Sequence, residues 1–354
     1  MSGTEGSWQG QVHRIIAGLE DGRARIDRGA VRNLVNTYAV RSLDGTALRF
    51  SLPVFLPAPA GASGRGADGA AGILIEAIKA AVPVERDLGP IAGAGTEHPR
   101  HSLPNVEPVT LIASGSAIGT DLWWPNAGNR IDGDGLRLVA RGALPYPGPP
   151  APGAVRGVAE CFAALLDALD RVVRRVPGRD LAAARDLSVD QKELRRALPG
   201  MGLVAFVADG TRPARRFTDL RCHHRIAGPK EGVHIPFSCP RELDPVEVEL
   251  AGSGRTVTGL GVRRREVFAV AGSNAEGKST FLHALIAGED DHAAGDGREG
   301  LVSVNGIARA EAGERYLAGA DVSLFFSRLP PGLSGNPEAA TGQGSGSLVM
   351  AHEI

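Results

Sequence analysis

The stretch Glu266-Val267-Phe268-Ala269-Val270-Ala271-Gly272-Ser273-Asn274-Ala275-Glu276-Gly277-Lys278-Ser279-Thr280 decides how the rest of this 354-residue chain is read. Its centre, Gly272 to Ser279, fits the pattern GxxxxGK[ST]. The apolar run Glu266 to Ala271 reads as a strand leading into that loop. Lys278 to Gly288 reads as the helix leaving it, with Gly288 at the C-terminal cap position. A strand, a glycine-rich turn and a helix N-terminus aim several unpaired backbone N–H groups at one small volume, and the helix dipole adds positive potential there. A polyphosphate suits such a site. Gly272 and Gly277 permit backbone angles and a close approach that a Cβ would forbid. In a loop of this kind Lys278 reaches the β- and γ-phosphates and the Ser279 hydroxyl ligates Mg²⁺, so ATP and Mg²⁺ are the expected ligands. Ser273, Asn274, Ala275, Glu276 and Thr280 complete the nucleotide-binding set. A dinucleotide fold is disfavoured, because Gly252-Ser253-Gly254 lacks the third glycine of G-x-G-x-x-G.

Outward from the loop, the composition is that of a globular protein, with 43% hydrophobic and 22% charged residues. A net charge of -1 argues for no particular class of partner. The three cysteines, Cys161, Cys222 and Cys239, are too scattered for a disulfide framework and suit a reducing compartment. Met1 to Gly10 lacks a signal-peptide pattern, and no apolar run nears the roughly 20 residues of a membrane span. A cytoplasmic protein with no membrane partner is expected.

Upstream, Leu48 to Val54 reads as a strand that Pro53 confines to a sheet edge. Pro57 to Gly72, rich in Ala, Gly and Pro, reads as a flexible loop or linker. Ile73 to Val82 reads as a helix stopped by Pro83, and Leu136 to Ala140 as a further strand. Apolar residues at helical spacing predict a helix from Ala154 to Val176. A second is expected from Ser188 to Leu198, with Ser188 as its N-cap. Leu203 to Ala208 reads as a buried strand, and Val246 to Leu250 and Arg255 to Val262 as a strand pair around a glycine-rich turn. A domain boundary is placed near residue 240.

Other candidates carry less chemistry. Cys222, His223, His224, His234 and Cys239 match no common zinc spacing. Residues 130–225 hold 17 Arg or Lys against 11 Asp or Glu. That excess reads either as a nucleic-acid footprint or as Arg residues offsetting acidic neighbours on solvated helices. Trp123 and Trp124 read as core or as a stacking platform. His292, Asp296, Gly297, Arg298 and Glu299 form a charged turn after the phosphate-loop helix. It is placed either to approach nucleotide or a second subunit, or as an ordinary surface turn.

Several segments in order resemble the predicted ATPases of the ABC class. They are Gly202 to Arg215, Val257 to Val262, the phosphate loop itself, His292 to Glu299, Gly319 to Pro330 and Gly344 to Ser347. The likeness covers roughly residues 128–354. It implies an α/β fold, with a P-loop NTPase domain of the ABC type preceded by an N-terminal α/β region. The division it implies is a divergent region over 1–125 with Gly/Pro/Ala-rich linkers, an α/β region over 126–240, and a nucleotide-binding domain over 241–354. In the family, ATP lies between the phosphate loop of one copy and a Ser/Gly signature loop of another. Self-association, or a second nucleotide-binding subunit, is therefore implied, with Ser345, Gly346 and Ser347 resembling the signature loop. Composition alone would make Gly342 to Ser347 a linker.

The family reaction is hydrolysis of ATP to ADP and phosphate, with Lys278 as the catalytic lysine. It also needs an apolar strand ending in Asp, with a Glu beside it. Leu348 to Ile354 does not fit that strand, because His352 stands in the Asp position, and it reads instead as the first turn of the signature helix. The chain is thus expected to be truncated, split or completed by another polypeptide, and to turn over ATP poorly alone. A non-hydrolysing nucleotide switch or scaffold, associated with nucleic acid, is the alternative.

Overall fold

The computed structural model describes residues 25–26, 38–41, 47–91, 129–133, 135–145, 152–216, 228–232, 235–273, 276–307, 310 and 314–353. Trp123, Trp124, Cys222, His223, His224, His234, Asn274 and Ala275 lie outside the described residues. The chain forms two compact units, residues 1–302 and 303–354.

The first unit begins with an antiparallel sheet of β1 (Arg25–Ile26), β2 (Tyr38–Arg41), β3 (Ala47–Pro57), β4 (Arg130–Asp132) and β5 (Gly135–Pro145). Alternate residues of β3 and β5, among them Phe50, Leu52, Val54, Leu56, Leu136 and Leu138, are buried with α1 (Ala67–Ala81) and α2 (Pro152–Arg175). The period of two on the strands meets a helical stripe on α2 of Val158, Phe162, Leu165, Leu169 and Val172. Phe50 and Phe162 meet edge to face, with ring centroids 5.2 Å apart at 89°.

β3 is not an edge strand. β5 pairs along its whole length, Ala47 to Pro57. On its other side β2 pairs with Leu48 to Ser51 and β1 with Val54 and Phe55. Pro53 falls between those two stretches, where the lack of an N–H breaks no described ladder. Of the two readings of the segment after β3, loop holds and linker does not, and the loop is packed rather than flexible. Ala62 is buried, Arg185 donates to Gly61 O at 2.9 Å and to Arg65 O at 3.0 Å, and α1 already starts at Ala67.

α3 runs from Gly178 to Ala197, ten residues earlier than the Ser188 start expected. Ser188 is buried inside the helix and does not cap it. The punctuation is Pro177, whose fixed φ suits it to stand just before a first turn. One face of α3 grips the loop that follows the phosphate-loop helix. Gln191 Nε2 donates to His292 O at 2.8 Å, and Gln191 Oε1 accepts from His292 N at 2.7 Å.

The second sheet has the order β7 (Val246–Glu249), β8 (Thr256–Arg263), β6 (Leu203–Ala208), β9 (Leu301–Ser303). β7–β8 and β8–β6 are antiparallel. Because β6 and β8 pair across residue 240, the boundary expected there falls inside one sheet. α4 (Lys278–Ala287) buries Ala284 and Leu285 against Ala205, Val207, Val262 and Leu301 of that sheet.

The expected strand Glu266 to Ala271 is not formed. These residues take no regular secondary structure, and Val267 is 99% exposed. A strand needs a neighbour to satisfy its backbone, and none of the described strands lies beside this segment.

In the second unit β10 (Glu314–Ala320) and β11 (Ala340–Ser345) form an antiparallel pair followed by α5 (Ser347–Glu353). Leu317, Ala320, Val322, Ala340, Leu348 and Ala351 make its core. Gly342 to Ser345 is therefore strand and not linker, and Leu348 to Glu353 is helical.

Candidate functional site

The phosphate loop is built around the N-terminus of α4. Gly277 sits at the N-cap with φ 87°, a left-handed angle that glycine adopts without a Cβ penalty. Gly272 has φ 149°, and a Cβ there would stand 2.4 Å from a Glu276 carboxylate oxygen. Between them the loop is held by its own charges. Lys278 Nζ donates to Gly272 O at 2.7 Å and to Ser273 O. Ser273 N donates to Glu276 Oε2 at 2.5 Å. A carboxylate thus already accepts from a loop N–H at a helix N-terminus, the contact a phosphate oxygen would make. Ser279 is exposed and Thr280 half-buried on the first turn of α4. The exposed Ser279 hydroxyl beside this anion-accepting backbone is the kind of hard oxygen donor that Mg²⁺ takes.

The opposite end of α4 is gripped. Arg195 donates to Gly288 O at 3.1 Å and Asp290 O at 3.0 Å, and pairs with Asp291 at 2.7 Å. A guanidinium on the last carbonyls satisfies acceptors the helix leaves open and opposes the negative end of its dipole. His292 Nε2 donates to Ala287 O at 3.0 Å.

Beyond it, the charged turn is an interior feature. His292, Asp296 and Arg298 are buried, Arg298 being 1% exposed. Arg298 Nε and Nη2 clasp the Asp296 carboxylate at 2.7 and 2.9 Å, Arg215 Nη2 approaches at 3.0 Å, and His292 Nδ1 lies 3.3 Å away. Burial by itself would raise the Asp296 carboxyl. The hydrogen bonds and charges of Arg298 and His292 outweigh it and hold the group well below the usual carboxylate range. Gly295 and Gly297 flank Asp296 with φ 92° and 88°, which lets the chain turn its carboxylate inward. A Cβ on Gly297 would come 3.1 Å from Arg212 Cβ, so the two loops touch. The charged side chains of the turn point inward, while Ala294 and Gly295 at its tip are exposed, and the cluster ties α4 to the loop after β6. The signal in the sequence was the run of His, Asp and Arg interleaved with two glycines, which hydrophilicity alone misplaces on the surface.

A basic cleft of about 230 Å³ runs along the flank of α4, lined by Thr280, His283, Arg215, Arg216, Lys230 and Arg298. Much of the Arg excess is already paired. Arg171 meets Asp87 at 3.2 Å, Arg174 meets Asp170 at 2.7 Å, Arg175 meets Glu85 at 2.6 Å and Arg216 meets Glu231 at 2.6 Å. Among the described residues no group of three His, Cys, Asp or Glu could hold a metal ion. No described helix is long and apolar enough to cross a membrane. In the second unit, Ser345 ends β11, Gly346 takes φ 56° and Ser347 opens α5.

Residues 177–354 match the P-loop domain of the ABC_ATPase family. The chain belongs to that family. An uncharacterised protein of Methanocaldococcus jannaschii is 38% identical over 289 residues, which cover 82% of this chain. The aligned part spans 62% of that relative's length. The ABC_ATPase match starts at the turn into α3 and takes in the β6–β8 sheet, the phosphate loop and the buried ion cluster.

Proposed function

We propose that this protein binds ATP and Mg²⁺ through Gly272 to Thr280. The observation that carries the reading is the pairing of a left-handed Gly277 at the α4 N-cap with a loop N–H, that of Ser273, that already donates to a carboxylate. On this reading the backbone from Gly272 to Gly277 cradles the phosphates and Ser279 holds the metal. Lys278 exchanges its bonds to Gly272 O and Ser273 O for phosphate oxygens and stabilises the transferring phosphoryl group. Mg²⁺, when bound, neutralises charge that develops on the β- and γ-oxygens.

The reaction assigned is hydrolysis of ATP to ADP and phosphate, wherever an Asp/Glu-bearing strand completes the site. Ser345, Gly346 and Ser347 are assigned to the γ-phosphate of a second copy's nucleotide, which makes self-association part of the proposal. A reducing, cytoplasmic setting agrees with the sparse cysteines.

Equilibrium binding of MgATP to the 354-residue chain, beside Lys278→Ala, tests the reading. Binding that the substitution abolishes supports it. Equal binding by both folded proteins would remove Lys278 and the loop from the site.

A further inference from the structure

A second cavity of about 240 Å³ lies between α3, the end of β6, the β7–β8 turn and the loop before β9. None of its lining residues belongs to the phosphate loop. Much of its wall is apolar, from Leu187, Leu194, Phe206, Val257 and Val302. Set into that wall are two polar side chains more than nine-tenths buried, Asp190 at 2% exposure and Thr211 at 4%.

Each is only part-satisfied. Asp190 Oδ1 accepts from Gly252 N at 2.6 Å and from Ser253 N at 2.9 Å, while its Oδ2 is buried with no hydrogen-bond partner. Thr211 Oγ1 is likewise buried and unpartnered. A Cβ on Gly300 would lie 3.3 Å from that hydroxyl and 2.7 Å from Ala208 Cβ, so glycine keeps the wall back.

A buried carboxylate oxygen with no donor costs more than most folds leave unmet. Here the carboxylate cannot turn away, because the β7–β8 turn fixes its other oxygen. A Cβ on Gly252 would come 2.2 Å from Asp186 O, so this turn is packed directly on α3. The charge on the walls has one dominant sign. Asp190, Asp209 and Glu299 line the cavity against the single guanidinium of Arg255, whose Nε lies 3.4 Å from Ser253 Oγ. The missing partner is therefore an N–H donor carrying positive charge, on an apolar body. The volume, below the roughly 300 Å³ at which most ligand sites begin, sets the size at about one ring.

We infer that this cavity binds a small organic cation, an amine or amidine on a single apolar ring or short chain, with Asp190 Oδ2 as the anchoring acceptor. Thr211 Oγ1 orients the ligand as a second polar contact. The site is independent of the phosphate loop and of ATP binding there.

Benzamidine titrated into the 354-residue chain, with benzoate as the shape-matched anion, tests this by calorimetry and protein-observed NMR. The expected result is saturable benzamidine binding in the range of about 1 mM, with benzoate weaker by about tenfold or more. Asp190→Asn keeps an acceptor for Gly252 and Ser253 but should weaken benzamidine by about tenfold or more while MgATP binding is unchanged. If that variant does not fold, Thr211→Val provides the reading, with an expected loss of roughly threefold to tenfold. The inference is overturned by no saturable binding up to about 10 mM, a range that even a weak one-ring ligand of this pocket should reach. It is equally overturned if benzoate binds as well as benzamidine, if the folded variant tested binds like the parent, or if Lys278→Ala abolishes binding, which would place the probe at the phosphate loop.

Discussion

The two ends of α4 are held in opposite ways. At the C-terminal end, Gly288 to Arg298 is tied to α3 and to the loop after β6 by half-buried, charge-assisted bonds from Arg195 and Arg215 and by the buried bonds of Gln191. At the N-terminal end, Glu266 to Ser279 is largely exposed, and its described polar contacts are local, between residues six or fewer apart. One end is fixed by the rest of the fold; the other is shaped by glycine and by its own lysine and glutamate. A helix held at one end and open at the other can meet a polyphosphate at its N-terminus without disturbing the core beneath it.

The sharpest way to break the contrast is at the gripped end. Asp296→Asn leaves the buried Arg298 without its counter-charge, and urea denaturation should show a loss of about 3–5 kcal/mol. Acid should do the same to the parent protein. Because the Asp296 carboxyl is depressed in the folded state, the stability it adds is complete above the unfolded value of about 4 and falls away as pH drops below it. Stability curves of parent and Asp296→Asn should therefore converge towards pH 2, and parallel curves would remove the carboxylate from that role.

At the open end the sign reverses. Lys278→Ala should weaken MgATP on the order of 100-fold, the worth of a charge-assisted contact, while moving stability by less than about 0.5 kcal/mol. A next, smaller step back at the gripped end is Arg195→Ala, which uncaps Gly288 O and Asp290 O. A loss of about 2 kcal/mol with MgATP affinity unchanged within roughly twofold is expected. The smallest effect belongs to Val267→Ser, within about 0.5 kcal/mol, since that side chain is already in solvent. A large loss there would mean the segment is packed in solution and would blur the distinction between the two ends.

Legibility in the sequence followed whether a signal was local. The GxxxxGK[ST] loop, the helix after it, the stripe on α2 and the β7–β8 turn were readable because their causes lie within a few residues. Pro53 misled because the gap between β1 and β2 that accommodates it is a tertiary fact. Ser188 misled because a good capping residue is also small enough to be buried mid-helix. Glu266 to Ala271 has the composition of a strand, but pairing belongs to the neighbour and not to the segment. Asp190 and the Asp296–Arg298 pair look like surface residues in one dimension. Only the return of the chain, 62 residues on for Gly252 against Asp190 and 81 for Asp296 against Arg215, makes them interior.

Gln191 has a consequence of a different kind. Besides a bond to Leu187 O within its own helix, its amide both donates to and accepts from the backbone of His292, 101 positions away. It does with a side chain what a strand does with its backbone, and it clasps both ends of an excursion that contains β6, β7, β8 and the phosphate loop. The excursion is a closed ring in all but covalent terms. A protease that nicks an exposed bond inside it, such as one near Val267, cuts the ring without releasing either piece, so the nicked protein should travel as one species until denatured.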